Sequence, residues 1–293
     1  MPPAEPKRER RAGLTEDVDL AEPPGGRIIA LAKVAAELVL WSRVAIGRRV
    51  AKACGRHRPL PDLVPPTAVL HHADEWKAAV AHAQERRLPL HHDRAKNWDA
   101  LGAVGAILRL TPRSRWRELR VIDAGAARYS PILPWLRLYG LGDAPGSLLG
   151  LNLEFTSHRV RDGVQFRRGD ATCTGLAAGS VDAITCMSVI EHGVTVDAFL
   201  TEAARVLRPG GLLVISTDYD HQPPATTGLV AYGKPVRVFG PDDIHALIKQ
   251  ADRVGLDLVG DVQTADLQNP ERPIHWRRLN LNYTFILLTF RRR

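Results

Sequence analysis

Val121-Ile122-Asp123-Ala124-Gly125-Ala126-Ala127 reads as a short apolar strand that closes on a carboxylate and enters a turn of small residues, with a helical pattern from about Pro131. In an open parallel sheet, ligands lie beyond the carboxyl ends of the strands, and small residues there let backbone approach the ligand. Taken alone, the segment serves equally well as a strand-to-helix turn packed for its own sake. Working outward, runs rich in Val, Ile and Leu recur at Leu119 to Ala124, Leu148 to Leu153, Val164 to Arg167, Val181 to Met187, Gly211 to Thr217, Leu256 to Val262 and Asn282 to Phe290. Helical patterns separate them. Alternation of this kind predicts crossover units and a mainly parallel sheet covered on both faces.

Three later blocks give the turn its meaning. Gly169-Asp170-Ala171 closes the third run, and Val181 to Met187 continues through Ser188-Val189-Ile190-Glu191-His192 as the fourth and its exit. Glu202 to Leu207, Arg208-Pro209-Gly210-Gly211 and Leu212 to Ser216 then supply a helix, a stop and turn, and the fifth. This succession resembles the class I S-adenosylmethionine-dependent methyltransferases from about Leu119 to Arg291. The resemblance implies an α/β, Rossmann-like, seven-stranded, mainly parallel sheet in the order 3-2-1-4-5-7-6, its last strand antiparallel, with helices on both faces. It also implies S-adenosylmethionine as cofactor and S-adenosylhomocysteine as product. Asp123, Gly125 and Ala127 would lie under the methionine part and the sulfonium, Asn152 at the ribose, Asp170 and Ala171 at the adenine, and Met187, Ser188 and Glu191 beside the transferable methyl.

Two positions depart from the family pattern. Ala127 stands where a second glycine is usual, which keeps the side chain small. Asn152 stands where an acid usually grips the ribose hydroxyls, and exchanging a charged for a neutral hydrogen bond costs about 1 kcal/mol, or fivefold in affinity. Glu154, two residues on and so on the same side of an extended chain, is the expected substitute. The implied activity is methyl transfer to a small-molecule or sugar-containing metabolite, most simply at oxygen, which needs a nearby base of near-neutral pKa. His192, at the fourth-strand exit, is the first candidate; His221 and Asp218, in Asp218-Tyr219-Asp220-His221, are the second. Lys96-Asn97-Trp98-Asp99 precedes the domain where helices commonly lid the cofactor, with Trp98 placed to cover the adenine. His71-His72 and His91-His92 lack partners at metal-ligand spacing, so no metal is expected.

The organisation follows from composition and charge. Residues 1–26 are rich in Pro and charge and read as a mobile leader; 27–112 read as a helical N-terminal cap with a Pro-rich linker near 55–67; 113–293 form the methyltransferase domain. From Ile28, Leu31, Val34, Ala35, Leu38, Trp41, Ala45 and Ile46 recur at helical spacing with basic residues opposite. Such a helix packs on its own domain or lies on an anionic membrane, so residues 27–53 offer a peripheral membrane contact, with a lipid-linked glycan as the alternative acceptor that contact would serve. Lys33, Glu37, Arg43, Arg48 and Arg49 interrupt it too often for a bilayer span. Three cysteines exclude a disulfide framework and fit a cytoplasmic chain. The formal +8 charge comes mainly from the two ends: residues 1–60 contribute +5 and the terminal Arg291-Arg292-Arg293 contributes +3. A small-molecule acceptor is therefore expected rather than nucleic acid, and no Asn-Pro-Pro-Tyr type segment follows the fourth strand. A nucleic-acid methyltransferase and a non-catalytic partner protein that keeps the fold stay open as alternatives, as does a homo-oligomer.

Overall fold

The structure, a computed structural model, describes residues 26–54, 59, 61–231, 233–263 and 266–293. The expected leader 1–26 lies outside these residues except for Gly26, as does part of the expected linker 55–67. In chain order the elements are α1 (Gly26–Cys54), β1 (Ala68–Val69), α2 (Ala73–Glu85), α3 (Lys96–Leu110), β2 (Val121–Ala124), α4 (Ile132–Leu138), β3 (Leu148–Asn152), β4 (Arg159–Arg161), β5 (Val164–Arg168) and β6 (Val181–Met187). They continue with α5 (Val196–Val206), β7 (Leu207–Tyr219), β8 (Val230–Ala231), β9 (Lys234–Pro235), α6 (Pro241–Arg253), β10 (Leu256–Leu258), β11 (Ile274–Trp276) and β12 (Leu281–Arg292).

β2 is buried at all four positions because both of its faces are covered, which is why apolar residues stand on both sides of it and only Asp123, near its carboxyl end, is polar. It pairs in parallel with β3 and β6; β3 pairs in parallel with β5, and β6 with β7. β12 runs antiparallel along β7. α1, α3 and α4 cover one face of this large, mainly parallel sheet and α5 and α6 the other.

The sheet has ten strands rather than the expected seven, in the order β1-β12-β7-β6-β2-β3-β5-β4, with β10 and β11 also on β12. The additional strands protect edges. β12 is 12 residues long, and its outer edge is taken up in turn by β11 at Leu281–Tyr283, β1 at Ile286–Leu287 and β10 at Phe290–Arg292. Unpaired backbone groups on a buried or edge strand are costly, so short segments suffice to cap them. At the other edge β4 folds back on β5 through Asp162-Gly163, with φ of 47° and 83°, the left-handed pair that a two-residue hairpin requires. The Arg208-Pro209-Gly210-Gly211 turn is a bulge at the start of β7, where the register against β6 jumps between Val181 and Ala183.

The segment before residue 113 joins the same core. β1 adds to the sheet, and Trp98, Leu101, Val104 and Leu108 of α3 are buried with Leu212, Val214 and Phe285. The single apolar stripe expected on α1 is divided: Trp41 is buried, whereas Val34, Leu38 and Ile46 are exposed. Apolar and charged residues occur on more than one side of the helix, so its spacing leaves the orientation open. Polar anchors decide it: Arg48 pairs with Asp162 and Asp143, and buried Glu37 with Arg161 and Arg159, while Trp41 meets Phe166 edge to face.

Candidate functional site

Strand alternation carries Asp123 of β2, Thr185 and Met187 of β6, Ser216 and Asp218 of β7, and Tyr283 and Phe285 of β12 to the face covered by α3. Deeper in the sheet that face is apolar, with Val121, Ala183, Val214 and Leu287. Toward the carboxyl ends of the parallel strands it turns polar. Opposite lies the first turn of α3, where Lys96 and Asp99 stand three residues apart and so share a side of the helix.

These groups form one buried acidic layer. Asp99 Oδ2 accepts from Ser216 Oγ at 2.7 Å, Asp123 Oδ1 from Thr185 Oγ1 at 2.8 Å, and Glu191 Oε2 from Thr217 Oγ1 at 3.1 Å. Glu191 and the Tyr283 hydroxyl lie close enough to Asp218 to act on its ionisation. The Lys96 ammonium lies 5.1 Å from the centre of the Phe285 ring. Burial drives every carboxyl upward: Asp99 to about 6 against the pull of Lys96, and Asp123 to about 7 against its bonds from Thr185 and Ser130. Burial likewise lifts Asp218 to about 7 against Lys96, and burial reinforced by Asp218 holds Glu191 well above the usual range. For Lys96, burial favours the neutral amine, but Asp99, Asp218 and Glu191 outweigh it and keep the ammonium. Four acids face one cation, so the layer favours added positive charge.

Beside the layer, Gly125 has φ of +80°, and its N–H and that of Ala126 both donate to Leu151 O. The Asn152 amide spans this turn, donating to Gly125 O at 3.3 Å and Ala126 O at 3.1 Å, while its Oδ1 receives the Glu154 N–H at 2.8 Å. Asn152 thus braces the turn from behind, and Glu154 is exposed rather than folded in beside it. We expect Asn152→Ala to cost about 2 kcal/mol of stability through two lost hydrogen bonds, and Glu154→Ala under about 0.5, as read by urea denaturation. Equal effects would show that the brace carries nothing.

The other expected residues distribute as follows. Asp170 Oδ1 accepts from Thr172 N and Oγ1 in a turn at the end of β5, with Ala171 half-buried beside it. Ser188, with φ of +51°, and Glu191 lie on the β6 exit; Ser188 Oγ and Glu191 Oε1 are buried with no hydrogen-bond partner among the described residues. Ala127 caps the turn that receives Ser130 N–H. His192 is half-buried, edge-on to Trp276, and burial followed by the Lys96 charge lowers its pKa. His221 is held elsewhere: its backbone N–H and ring Nδ1 both meet Asn269 Oδ1, next to buried Asp220, which pairs with the exposed Arg272. Trp98, expected over the adenine, is 2% exposed and belongs to the core. Its helix turns Lys96 and Asp99 toward the sheet ends instead.

Lys96, Asp99, Thr185, Ser216, Thr217 and Tyr283 were absent from the expected set. A sequence signal existed for two of them: a Lys and an Asp three apart open a helix whose residues 100–108 are all apolar, so burial with a partner is the expected fate of both. A cavity of about 200 Å³ lies at the opposite, amino ends of β2 and β6, where Arg115 and Arg208 each hold Asp182 at 3.0 Å. It is remote from the acidic layer and on the side of the sheet that ligands avoid.

Residues 125–215, from the Gly125 turn to β7, match the family model described as a methyltransferase domain. A ubiquinone biosynthesis O-methyltransferase of Azorhizobium caulinodans is 28% identical over 105 residues, which cover 34% of this chain and 41% of that relative. The match thus spans less than half of the relative's length. Among solved structures, an S-adenosylmethionine-dependent methyltransferase of Mesorhizobium loti aligns with 18% identity over 64% of this chain and 96% of its own, at a TM-score of 0.43. A putative sarcosine dimethylglycine methyltransferase of Galdieria sulphuraria aligns with 14% identity over 84% and 97%, at 0.46.

Proposed function

The chain belongs to the class I S-adenosylmethionine-dependent methyltransferase superfamily, and from that premise we propose that it transfers the sulfonium methyl to a hydroxyl of a small organic acceptor. The observation that carries the reading is the buried acidic layer at the carboxyl ends of β2, β6 and β7, set against a left-handed small-residue turn. S-adenosylmethionine, when bound, supplies an activated methyl group for in-line displacement. The Gly125–Ala127 turn admits its amino-acid part close to the backbone, and Asp123 and Asp99 offer the carboxyls its positive charge requires. Asp170 and Ala171 lie at the strand end assigned to the adenine. Ser188 Oγ and Glu191 Oε1, buried and without a partner among the described residues, have capacity left for a ligand.

The Asp218–Glu191 pair is placed to take the proton from the acceptor hydroxyl, with Lys96 steadying the charge that the pair acquires. His192 stands just past the same exit as the other candidate base. Support for oxygen as the acceptor atom comes from the Azorhizobium relative, whose name specifies O-methylation. The reading is tested by titrating the purified protein with S-adenosylmethionine and S-adenosylhomocysteine in a calorimeter. Micromolar binding of both is expected; no binding of either would favour a non-catalytic partner that retains the fold.

A pH dependence follows. The aspartates at about 6 and 7 are part-protonated near neutrality, and an incoming sulfonium favours their ionised forms. Binding of S-adenosylmethionine should therefore release protons and tighten as pH rises from about 5 to 8, whereas S-adenosylhomocysteine, lacking the sulfonium charge, should respond less. Calorimetry in buffers of different ionisation enthalpy reads both effects. The same carboxyls set the sign for stability without ligand. Their folded values are raised, so their contribution is full below the ordinary aspartate range and is lost as pH rises through about 6 to 7. Lys96, raised from an already high value, has no effect in that window.

A further inference from the structure

We propose that the outer face of α1 docks the protein on the surface of an anionic lipid bilayer, an inference that stands apart from the methyl-transfer reading. Of the nine large apolar side chains exposed among the described residues, five lie on this one helix. Val39, Arg43, Ile46 and Val50 recur at steps of four, three and four, forming one stripe, with Leu38 and Arg49 beside it. Ile46 is 62% exposed, Val50 56% and Val39 52%. The opposite stripe, Glu37, Trp41, Val44 and Arg48, faces the body of the protein and is fastened there. The helix is therefore anchored by one side, and its apolar outer side is not a by-product of a loose fit.

Charge selects the occupant. Glu37 is the one acidic residue in the sequence from Gly26 to Cys54, and it is buried against Arg161 and Arg159. The outer face thus sets Arg43 and Arg49 among aliphatic side chains, and neither forms an ion pair with an acidic residue among the described residues. Self-association through this face would press arginine against arginine. A bilayer with anionic headgroups satisfies both components: the aliphatics enter the acyl boundary while the guanidinium groups reach outward to phosphate. No described helix is long and apolar enough to cross a membrane, so the geometry is that of a helix lying on the surface.

The test is co-sedimentation of the full chain with vesicles of phosphatidylcholine, with and without phosphatidylglycerol. Binding is expected to the anionic vesicles only, and to weaken with added salt. Arg43→Glu combined with Arg49→Glu should lower partitioning by about twentyfold. Val39→Asp with Ile46→Asp should lower it as strongly, and circular dichroism should show each protein folded. Equal binding to both vesicle types, or binding undiminished by these variants, overturns the proposal. So does an absence of vesicle binding. In that case sedimentation velocity showing a dimer that Ile46→Asp dissociates would assign the face to a second copy of the chain.

Discussion

Gly125→Arg should weaken binding of S-adenosylmethionine and S-adenosylhomocysteine at least a hundredfold, a loss of about 2.7 kcal/mol. Two independent costs combine at this position. A side chain at φ of +80° is strained by about 1–2 kcal/mol in any L residue. A Cβ there would also stand 2.9 Å from Val189 Cγ1 and nearer still to Cγ2, so the β6 exit itself must move. The remainder of the arginine then fills the space that the turn leaves for the amino-acid part of the cofactor. Because so large a change could unfold the protein, Gly125→Ala provides the second reading. It carries the strain and the clash but little bulk, and a loss of about tenfold is expected. Val189→Ala added to Gly125→Ala removes the clash and leaves the strain, so part of the affinity should return. A folded Gly125→Arg protein that binds both ligands like wild type would show that the turn is not their cradle.

The features most legible in the sequence were those that depend on one segment at a time. β2 announces itself because a strand covered on both faces is apolar on both sides, with Asp123 the exception near its carboxyl end, and the following turn because small residues cluster where the chain must bend. Features made by two segments meeting were harder to see. β1 and β11 span two and three residues, too short for any periodicity, and exist because β12 needs edge partners. Asp162-Gly163 is different: it is a strong two-residue hairpin signal that the sequence carries directly ahead of the apolar run of β5.

The candidate site divides along the same line. Asp123, Gly125, Asp218 and Glu191 lie on strand ends and turns whose positions follow from the order of segments. Lys96 and Asp99 reach the site only because α3 packs across the ends of β6 and β7, and within that segment the large aromatic drew attention from the charges. Trp98 is buried because the sheet face beneath α3 needs covering, which any large apolar residue can do. Lys96 and Asp99 are informative for the opposite reason, since burying them is costly unless they meet partners. Asn152 shows a further limit: sequence located it at the right strand end, but the direction of its amide, toward Gly125 O and Ala126 O, is a property of the folded turn.

Asp218→Asn should lower turnover by about a hundredfold to ten-thousandfold, the range for loss of a positioned proton acceptor, while changing S-adenosylhomocysteine affinity only a few-fold. The prediction requires an acceptor found by screening hydroxylated compounds for S-adenosylhomocysteine release. Its sign with pH is fixed by the direction of the shifts. Burial lifts Asp218 to about 7 and holds its neighbour Glu191 higher, so the pair keeps a proton below neutrality. Only the deprotonated base can accept the acceptor's proton, so kcat/KM should climb as pH rises through about 7 and then level. The two carboxyls interact strongly, so the midpoint belongs to the pair, and Asp218→Asn should abolish that limb rather than merely displace it. His192 would give a different profile. Burial and the nearby Lys96 lower its pKa, so a histidine base would place the limb below the ordinary histidine range. It would also leave Asp218→Asn with a pH profile shaped like that of wild type. Lys96→Met separates the two again: removing the cation raises the carboxyl pair further and shifts its limb to higher pH, whereas it relieves the charge that depresses His192 and shifts that limb upward only toward the ordinary value. A limb near or above 7 that vanishes with Asp218 and survives His192→Asn is the outcome this arrangement of buried acids requires.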